Sequence, residues 1–205
     1  MSKYVIIGYS GHAYVVLDAA FESGIKVSGY TEREKNRMNP YGLHYVGFEG
    51  DTDFNGWDKS YSFILGIGDN DIRSEITANL MKRNETLVTV IHQNSTISKK
   101  AVVGRGTFIS SGVQVNSMTK IGDAVILNTS SVIEHECIID DYAHVAPGAV
   151  LAGNVRVGKG SFIGANSVVK EGVIIGDHVL IGAGSVVINN VPDNTKVVGN
   201  PGRIL

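Results

Sequence analysis

The chain has 205 residues, 18 Lys and Arg against 20 Asp and Glu, a formal net charge of −2, and only 7% aromatic residues. That balance, with no basic block, excludes the electrostatic footprint of a nucleic-acid binder or of a protein held on anionic membranes, and leaves small polar ligands as the expected partners. The apolar run in MSKYVIIGYSGHA is too short for a signal sequence or a spanning helix, so no membrane insertion is expected, and the single cysteine, Cys137, fits a cytoplasmic location.

In chain order, KYVIIG reads as a short buried strand, GYSGHA as a glycine-rich turn, and AYVVLDAAFES as a helix that Gly24 is placed to end. A second strand is expected at Lys26–Tyr30. The polar segment Thr31–Asp58 carries no legible chemistry, and Trp57 within it reads as packing. SFILGIG then reads as a buried strand ending in glycines, DNDIRSEITANLMKRN as a helix, and TLVTVI as one more strand. Strand, glycine turn, helix, strand is the order of a small parallel α/β, Rossmann-like domain, expected over residues 1–92. Ligands of such sheets sit at the carboxyl ends of the strands, where both glycine turns, Gly8–His12 and Gly66–Asn70, fall. One GxxG alone fits a tight turn and a phosphate site about equally; two at equivalent places point to a nucleotide or pyrophosphate held on backbone N–H groups.

From residue 93 to 205 a different pattern takes over. Every sixth residue from Ile97 to Val187 is aliphatic, at sixteen positions out of sixteen. Four places after each comes a small or β-branched residue such as Ala101, Thr107, Ser131, Cys137 or Ser167. A period of six is incompatible with a helix face but suits short strands broken by corners. The fifth place lets the corner close, so Cys137 reads as a small buried residue and not as a nucleophile.

This repeat resembles the hexapeptide-repeat family, whose fold is a left-handed parallel β-helix with three sides. Taken with GYSGH near the start, the ILGIGDNDIR turn and the closing VVGNPGRIL, the whole chain resembles the NeuD/PglD-type sugar acyltransferases. The resemblance implies a homotrimer with sites at subunit interfaces, acetyl-CoA as cosubstrate and no metal. It also implies acetyl transfer to the 4-amino group of a nucleotide-linked 4-amino-4,6-dideoxyhexose. Ser10, Gly11 and His12 correspond to the nucleotide-sugar phosphates and nearby sugar, and Ile67 and Gly68 complete that pocket. Thr31, Glu32 and Arg33 fall where the family often has two acidic residues that contact the base; here Glu32 alone keeps the acid. Gly153, Ala165 and Ala183 lie on later coils where the acetyl-CoA arm runs.

The stretch VIEHECIIDDYAHVAPG, residues 132–148, concentrates the chemistry. An amine attacking a thioester must lose a proton, and an imidazole titrating near neutrality is a suitable base. His135 is the third residue of its unit, so its side chain is expected to point outward. The resemblance makes it the base, Glu136 its partner, and His144 an acetyl-CoA ligand near the thioester. Nine residues separate the two histidines, half of an eighteen-residue coil, so they are expected on different sides of the prism and able to meet only across a subunit groove. His92 and His178 read as structural or exposed. Two rivals use the same architecture: O-acetylation of a free sugar or sialic acid, and a γ-type carbonic anhydrase holding zinc on three histidines. A third reading, from another class, is a non-catalytic nucleotide-sugar-binding trimer.

Overall fold

A computed structural model describes residues 3–58 and 60–205, so the first two residues of the expected 1–92 unit lie outside it. The N-terminal part is β1 (Lys3–Ile7), α1 (Gly11–Glu22), β2 (Val27–Thr31), β3 (His44–Gly47), β4 (Tyr61–Leu65), α2 (Asn70–Lys82) and β5 (Thr86–Leu87). The strands form one parallel sheet in the order β3-β2-β1-β4-β5. Chain direction across the sheet therefore reverses between β1 and β4, and the crevice beyond their carboxyl ends is where open α/β sheets bind ligands. Gly24, at φ +80°, follows α1, and the Ile25 N–H returns to the Ala20 carbonyl at 2.8 Å. Trp57 packs edge-on against Phe54 and tilted against Phe63, with the Arg83 guanidinium 4.6 Å from its ring centroid.

TLVTVI does not form one strand. Thr86–Leu87 pairs with β4, whereas Val90–Ile91 pairs with Phe108–Ile109 of the following unit. The chain crosses from sheet to prism between them.

Among the described residues the rest is a three-sided β-solenoid with faces of eight, six and five strands, parallel throughout except for the closing antiparallel pair Lys196–Val198 and Arg203–Ile204. Strand pairs are offset by eighteen residues, as in Ile133↔Leu151 and Leu151↔Val169. The aliphatic ladder points inward and forms one continuous core, with Cys137 fully buried in it. The corners obey a rule the aliphatic period does not reveal: every sixth residue from 106 to 184 has positive φ, six of them glycine and eight of them not. Each is the fourth residue of its unit, and Met118, Glu136, Tyr142 and His178 occupy the left-handed region at a steric cost glycine escapes.

The two units share their cores. Ala13, Val16, Leu17 and Ala20 of α1 pack with Val90, Phe108 and Ile126 on the outer side of the eight-stranded face. Val5, Ile7, Phe63, Leu65 and Leu80 pack with Ala124 and Tyr142 at a prism corner. Arg73, 1% exposed, ties that corner to the sheet. Its Nε donates to the Ala124 carbonyl at 2.8 Å and its Nη2 to the Tyr142 carbonyl at 2.7 Å. Nη1 reaches the carbonyls of Ile67, Gly68 and Asp69, and Nη2 also donates to Asn70 Oδ1. Burial pulls the Arg73 pKa down to about 10, so it stays cationic at neutral pH.

Candidate active site

The two glycine turns meet at the switch point. Gly66 has no room for a side chain: a Cβ there would lie 2.7 Å from Ala13 Cβ and 2.9 Å from the Ile7 carbonyl oxygen. The helices that follow are finished differently. At α2, Asp69 Oδ1 accepts from the N–H groups of Asp71 and Ile72, so its own cap occupies that terminus. At α1, Ser10 stands in the N-cap position without a side-chain hydrogen bond, which leaves the first-turn N–H groups open to an anion.

A cavity of about 590 Å³ opens from these turns. Among the expected substrate residues, Ser10, Thr31, Glu32, Arg33, Ile67 and Gly68 line it; Gly11 and His12 continue from Ser10 into α1 and are not part of its lining. Thr31 is fully buried. The Glu32 carboxylate is already engaged, accepting from the N–H groups of Tyr9 and Arg33 at 3.1 Å each. A second cavity of about 390 Å³ shares Gly68 and Asp69 with the first and runs over Phe162, His178, Leu180 and Lys196.

His12 and His144 face each other near Gly68, with ring centroids 6.3 Å apart. His144 stands on the outer side of the eight-stranded face, 8% exposed, edge-on to Phe162. Thr129 N–H donates to Asn128 Oδ1, which orients the amide so that Asn128 Nδ2 donates to His144 Nε2 at 3.2 Å. The His144 proton therefore resides on Nδ1, which has no aligned hydrogen-bond partner, and His12 Nε2 has none either. Burial first, then the Arg73 cation, lowers His12 to about 4. The same two causes and the His12 ring take His144 to about 3, against an opposing pull from the Gly68 backbone. Both rings are neutral at physiological pH.

His135 is elsewhere, at the corner that follows the Val132–Ile133 strand of the six-stranded face. As expected, its side chain is exposed, and its Nδ1 lies 3.1 Å from Glu136 Oε2. The ring lies over Gly153 of the next coil, where a Cβ would come within 2.5 Å of His135 Cε1. The chain thus brings His135 together with Glu136 and Gly153, and His144 together with His12, but places the two groups on different faces. Ala165 and Ala183 stack at the corner after the eight-stranded face, the Gly184 N–H donating to the Ala165 carbonyl, apart from Gly153. His92 pairs with Glu22 of α1 at 2.9 Å. Among the described residues no group of three or more His, Cys, Asp or Glu is disposed to hold a metal ion, and no helix is long and apolar enough to cross a membrane.

Arg73 was not among the expected site residues. Its signal lay in the helix period, because Arg73, Thr77 and Leu80 fall on one buried face of α2.

Residues 3–80 match the family described as the PglD N-terminal domain, and residues 118–153 and 154–189 match the bacterial transferase hexapeptide family. PerB from Caulobacter crescentus, solved with CoA and GDP-perosamine, is 30% identical, covers 100% of this chain and 98% of its own, and superposes with a TM-score of 0.92. The chain belongs to the NeuD/PglD-type hexapeptide acyltransferases. Within this family the acetyltransferase domain of PglB from Neisseria gonorrhoeae is 28% identical over the whole of both chains, with a TM-score of 0.91, and has also been solved with acetyl coenzyme A. WeeI from Acinetobacter baumannii is 25% identical over the whole of both chains, with a TM-score of 0.88. Curated relatives match over shorter stretches: the UDP-N-acetylbacillosamine N-acetyltransferase of Bacillus subtilis is 37% identical over 47 residues, 23% of this chain. The chain spans about a quarter of the length of the curated relatives it matches, 24% and 22%.

Proposed function

We propose that this chain transfers the acetyl group of acetyl-CoA to the 4-amino group of a nucleotide-linked 4-amino-4,6-dideoxy sugar. The observation that carries this reading is the end-to-end likeness to PerB, which was solved with CoA and GDP-perosamine. The open α1 terminus at Ser10–His12 takes the diphosphate, Thr31, Glu32 and Arg33 line the nucleoside side of the cavity, and Ile67 and Gly68 guide the sugar towards His12 and His144. Gly153, Ala165 and Ala183 lie along the acetyl-CoA arm.

Chemistry proceeds by direct attack in a ternary complex. Glu136 holds the Nδ1–H of His135, which leaves Nε2 free as the base. The amine nitrogen bonds to the thioester carbon as Nε2 takes its proton; the C–S bond then breaks, and the proton passes to the departing CoA sulfur. The neutral His144 ring, held between Asn128 and the Gly68 backbone, is suited to donate to the thioester oxygen.

Because one chain keeps His135 and His144 apart, a complete site needs a second copy. Val132, Val150, Val168 and Val186 stack on the outer side of the six-stranded face, an apolar stripe that a neighbouring protomer of a homotrimer would cover. A cytoplasmic location suits the single reduced cysteine. The test is mass-spectrometric detection of an acetylated product from acetyl-CoA and amino-sugar nucleotides, with the 4-hydroxy analogue separating N- from O-transfer. Product from the analogue alone would overturn the assignment, and a monomer in sedimentation would overturn the shared site.

A further inference from the structure

Asn70 and Arg73, one turn apart at the start of α2, reach the same corner of the prism at three successive coils. Arg73 Nε donates to the Ala124 carbonyl, Arg73 Nη2 to the Tyr142 carbonyl, and Asn70 Nδ2 to the Gly160 carbonyl at 2.9 Å. Ala124, Tyr142 and Gly160 follow one another at eighteen-residue intervals and are three of the left-handed corners, at φ 52°, 61° and 66°. Their N–H groups donate to the coil before, and their carbonyl oxygens face α2. Arg73 Nη2 also donates to Asn70 Oδ1 at 2.7 Å; because a guanidinium only donates, that bond turns the Asn70 amide nitrogen towards the prism and makes the two side chains one unit.

The unit grips the strand that carries His144. Tyr142 precedes His144 by two residues. The His144 backbone N–H donates to the Ser161 carbonyl at 2.9 Å, and Asn70 Nδ2 reaches that same oxygen at 3.3 Å. Phe162, the residue after Ser161, is edge-on to the His144 ring. On the ring side, Arg73 Nη1 donates to the Gly68 carbonyl at 3.0 Å, and the Gly68 backbone acts on the His144 imidazole. Gly68 also lies against His12, where a Cβ would come 3.6 Å from His12 Cβ and Cγ. Backbone and ring of His144 are each one peptide group away from the Asn70 and Arg73 side chains. We infer that Asn70, locked to Arg73, is a positioning residue for acyl transfer: it sets the His144 imidazole against the Gly68 turn, between the cavity for the sugar nucleotide and the prism. This rests on the proposed function and adds a residue to its machinery.

The two substrates approach His144 from different units, the sugar nucleotide from the sheet and acetyl-CoA along the prism, so the reaction depends on the register between those units. The apolar contacts at the seam are non-directional and leave that register loose. Hydrogen bonds from one helical turn to three carbonyls in a single column fix it, because each has a preferred distance and angle. A displacement of about 1 Å between reacting groups is enough to lose on the order of a hundredfold in rate. A donor to the thioester oxygen acts chiefly where charge develops in the transition state, so an error in its position falls on kcat and spares binding.

The test is steady-state kinetics of acetyl transfer for Asn70→Ala and Asn70→Asp, each made alone and together with His144→Ala, with calorimetric binding of CoA and of the sugar nucleotide in parallel. Asn70→Asp keeps an oxygen for Arg73 but loses the donor to the Gly160 and Ser161 carbonyls. Both single variants are expected to lose about tenfold in kcat, with KM for either substrate changed by less than about twofold. In the His144→Ala background the same substitutions should cost less than about twofold, because the ring they position is gone. A purely structural contact gives the same factor in both backgrounds. Wild-type kcat in either single variant, or equal losses with and without His144, overturns the inference. Loss of substrate binding in both variants overturns it too, since Asn70 would then hold the fold and not the ring. Each of these outcomes leaves the acetyltransferase reading standing, because wild type still turns over; a wild type silent on every amino-sugar nucleotide sinks both.

Discussion

The imidazole of His135 lies across the backbone of Gly153, eighteen residues later, and a single methyl group at Gly153 would sit 2.5 Å from Cε1 and 2.7 Å from Nε2. The glycine is the floor on which the proposed base rests. Gly153→Ala is therefore expected to keep the fold and to displace the ring, lowering kcat by on the order of a hundredfold with KM for the acceptor little changed. Steady-state kinetics check this; an unchanged kcat would show that the ring position does not matter.

Glu136 occupies the left-handed corner position, φ 61°, that glycine takes at six other corners. Its side-chain chemistry is thus held at a conformational cost. Glu136→Gly should raise stability by roughly 0.5–1 kcal/mol, the steric relief exceeding glycine's extra unfolded-state entropy, while lowering turnover at least about tenfold. Urea denaturation and a thiol-release assay on one preparation read both effects. A variant that is more stable and fully active would remove Glu136 from the mechanism.

The neutral state of the buried histidines has a stability consequence with a definite sign. His144 falls from 6.5 to about 3 on folding, so between those values the unfolded chain binds a proton the folded chain refuses. Stability must fall as pH drops through that window, by about 1.4 kcal/mol per unit for this group. From pH 7.5 to 5.0, His144→Gln should lose about 2 kcal/mol less than wild type, measured by urea midpoints. Equal losses would mean that His144 titrates normally.

Arg73 joins α2, the second glycine turn and two corner carbonyls through six hydrogen bonds. Replacing it strands carbonyl groups at the seam between sheet and prism. Arg73→Met is expected to cost about 3–5 kcal/mol, and Arg73→Lys, which cannot span the same acceptors, to recover little of it. Thermal unfolding tests this, and full rescue by lysine would reduce Arg73 to a simple charge.

The inward ladder was legible because its period is strict: each of the sixteen aliphatic positions has one role, to stack on the residue eighteen places away. Both glycine turns were legible for a related reason, since a strand ending in glycine before a helix allows few backbone paths. The division of TLVTVI was not, because Val90 and Ile91 are as strand-like as Thr86 and Leu87 and only tertiary pairing separates them. The left-handed corner rule was hidden by chemistry: Met118, Glu136 and Tyr142 at positions that favour glycine give no local sign of the turn. Arg73 was missed because a charged residue reads as solvated, and its burial depends on contacts with distant segments. His135 and Glu136 stood out through resemblance to a family and through an outward position in the repeat; the convergence of His12 with His144 came only from the docking of α1 on the prism.

The most direct measurement compares wild type with His135→Ala for release of CoA thiol from acetyl-CoA, using GDP-, UDP- and dTDP-linked 4-amino-4,6-dideoxyhexoses and following acceptor binding in parallel. The account predicts turnover with one nucleotide class in wild type, a loss of at least about a hundredfold in the variant, and unchanged acceptor affinity. Wild-type silence across the panel, or a variant that turns over as fast as wild type, would contradict it.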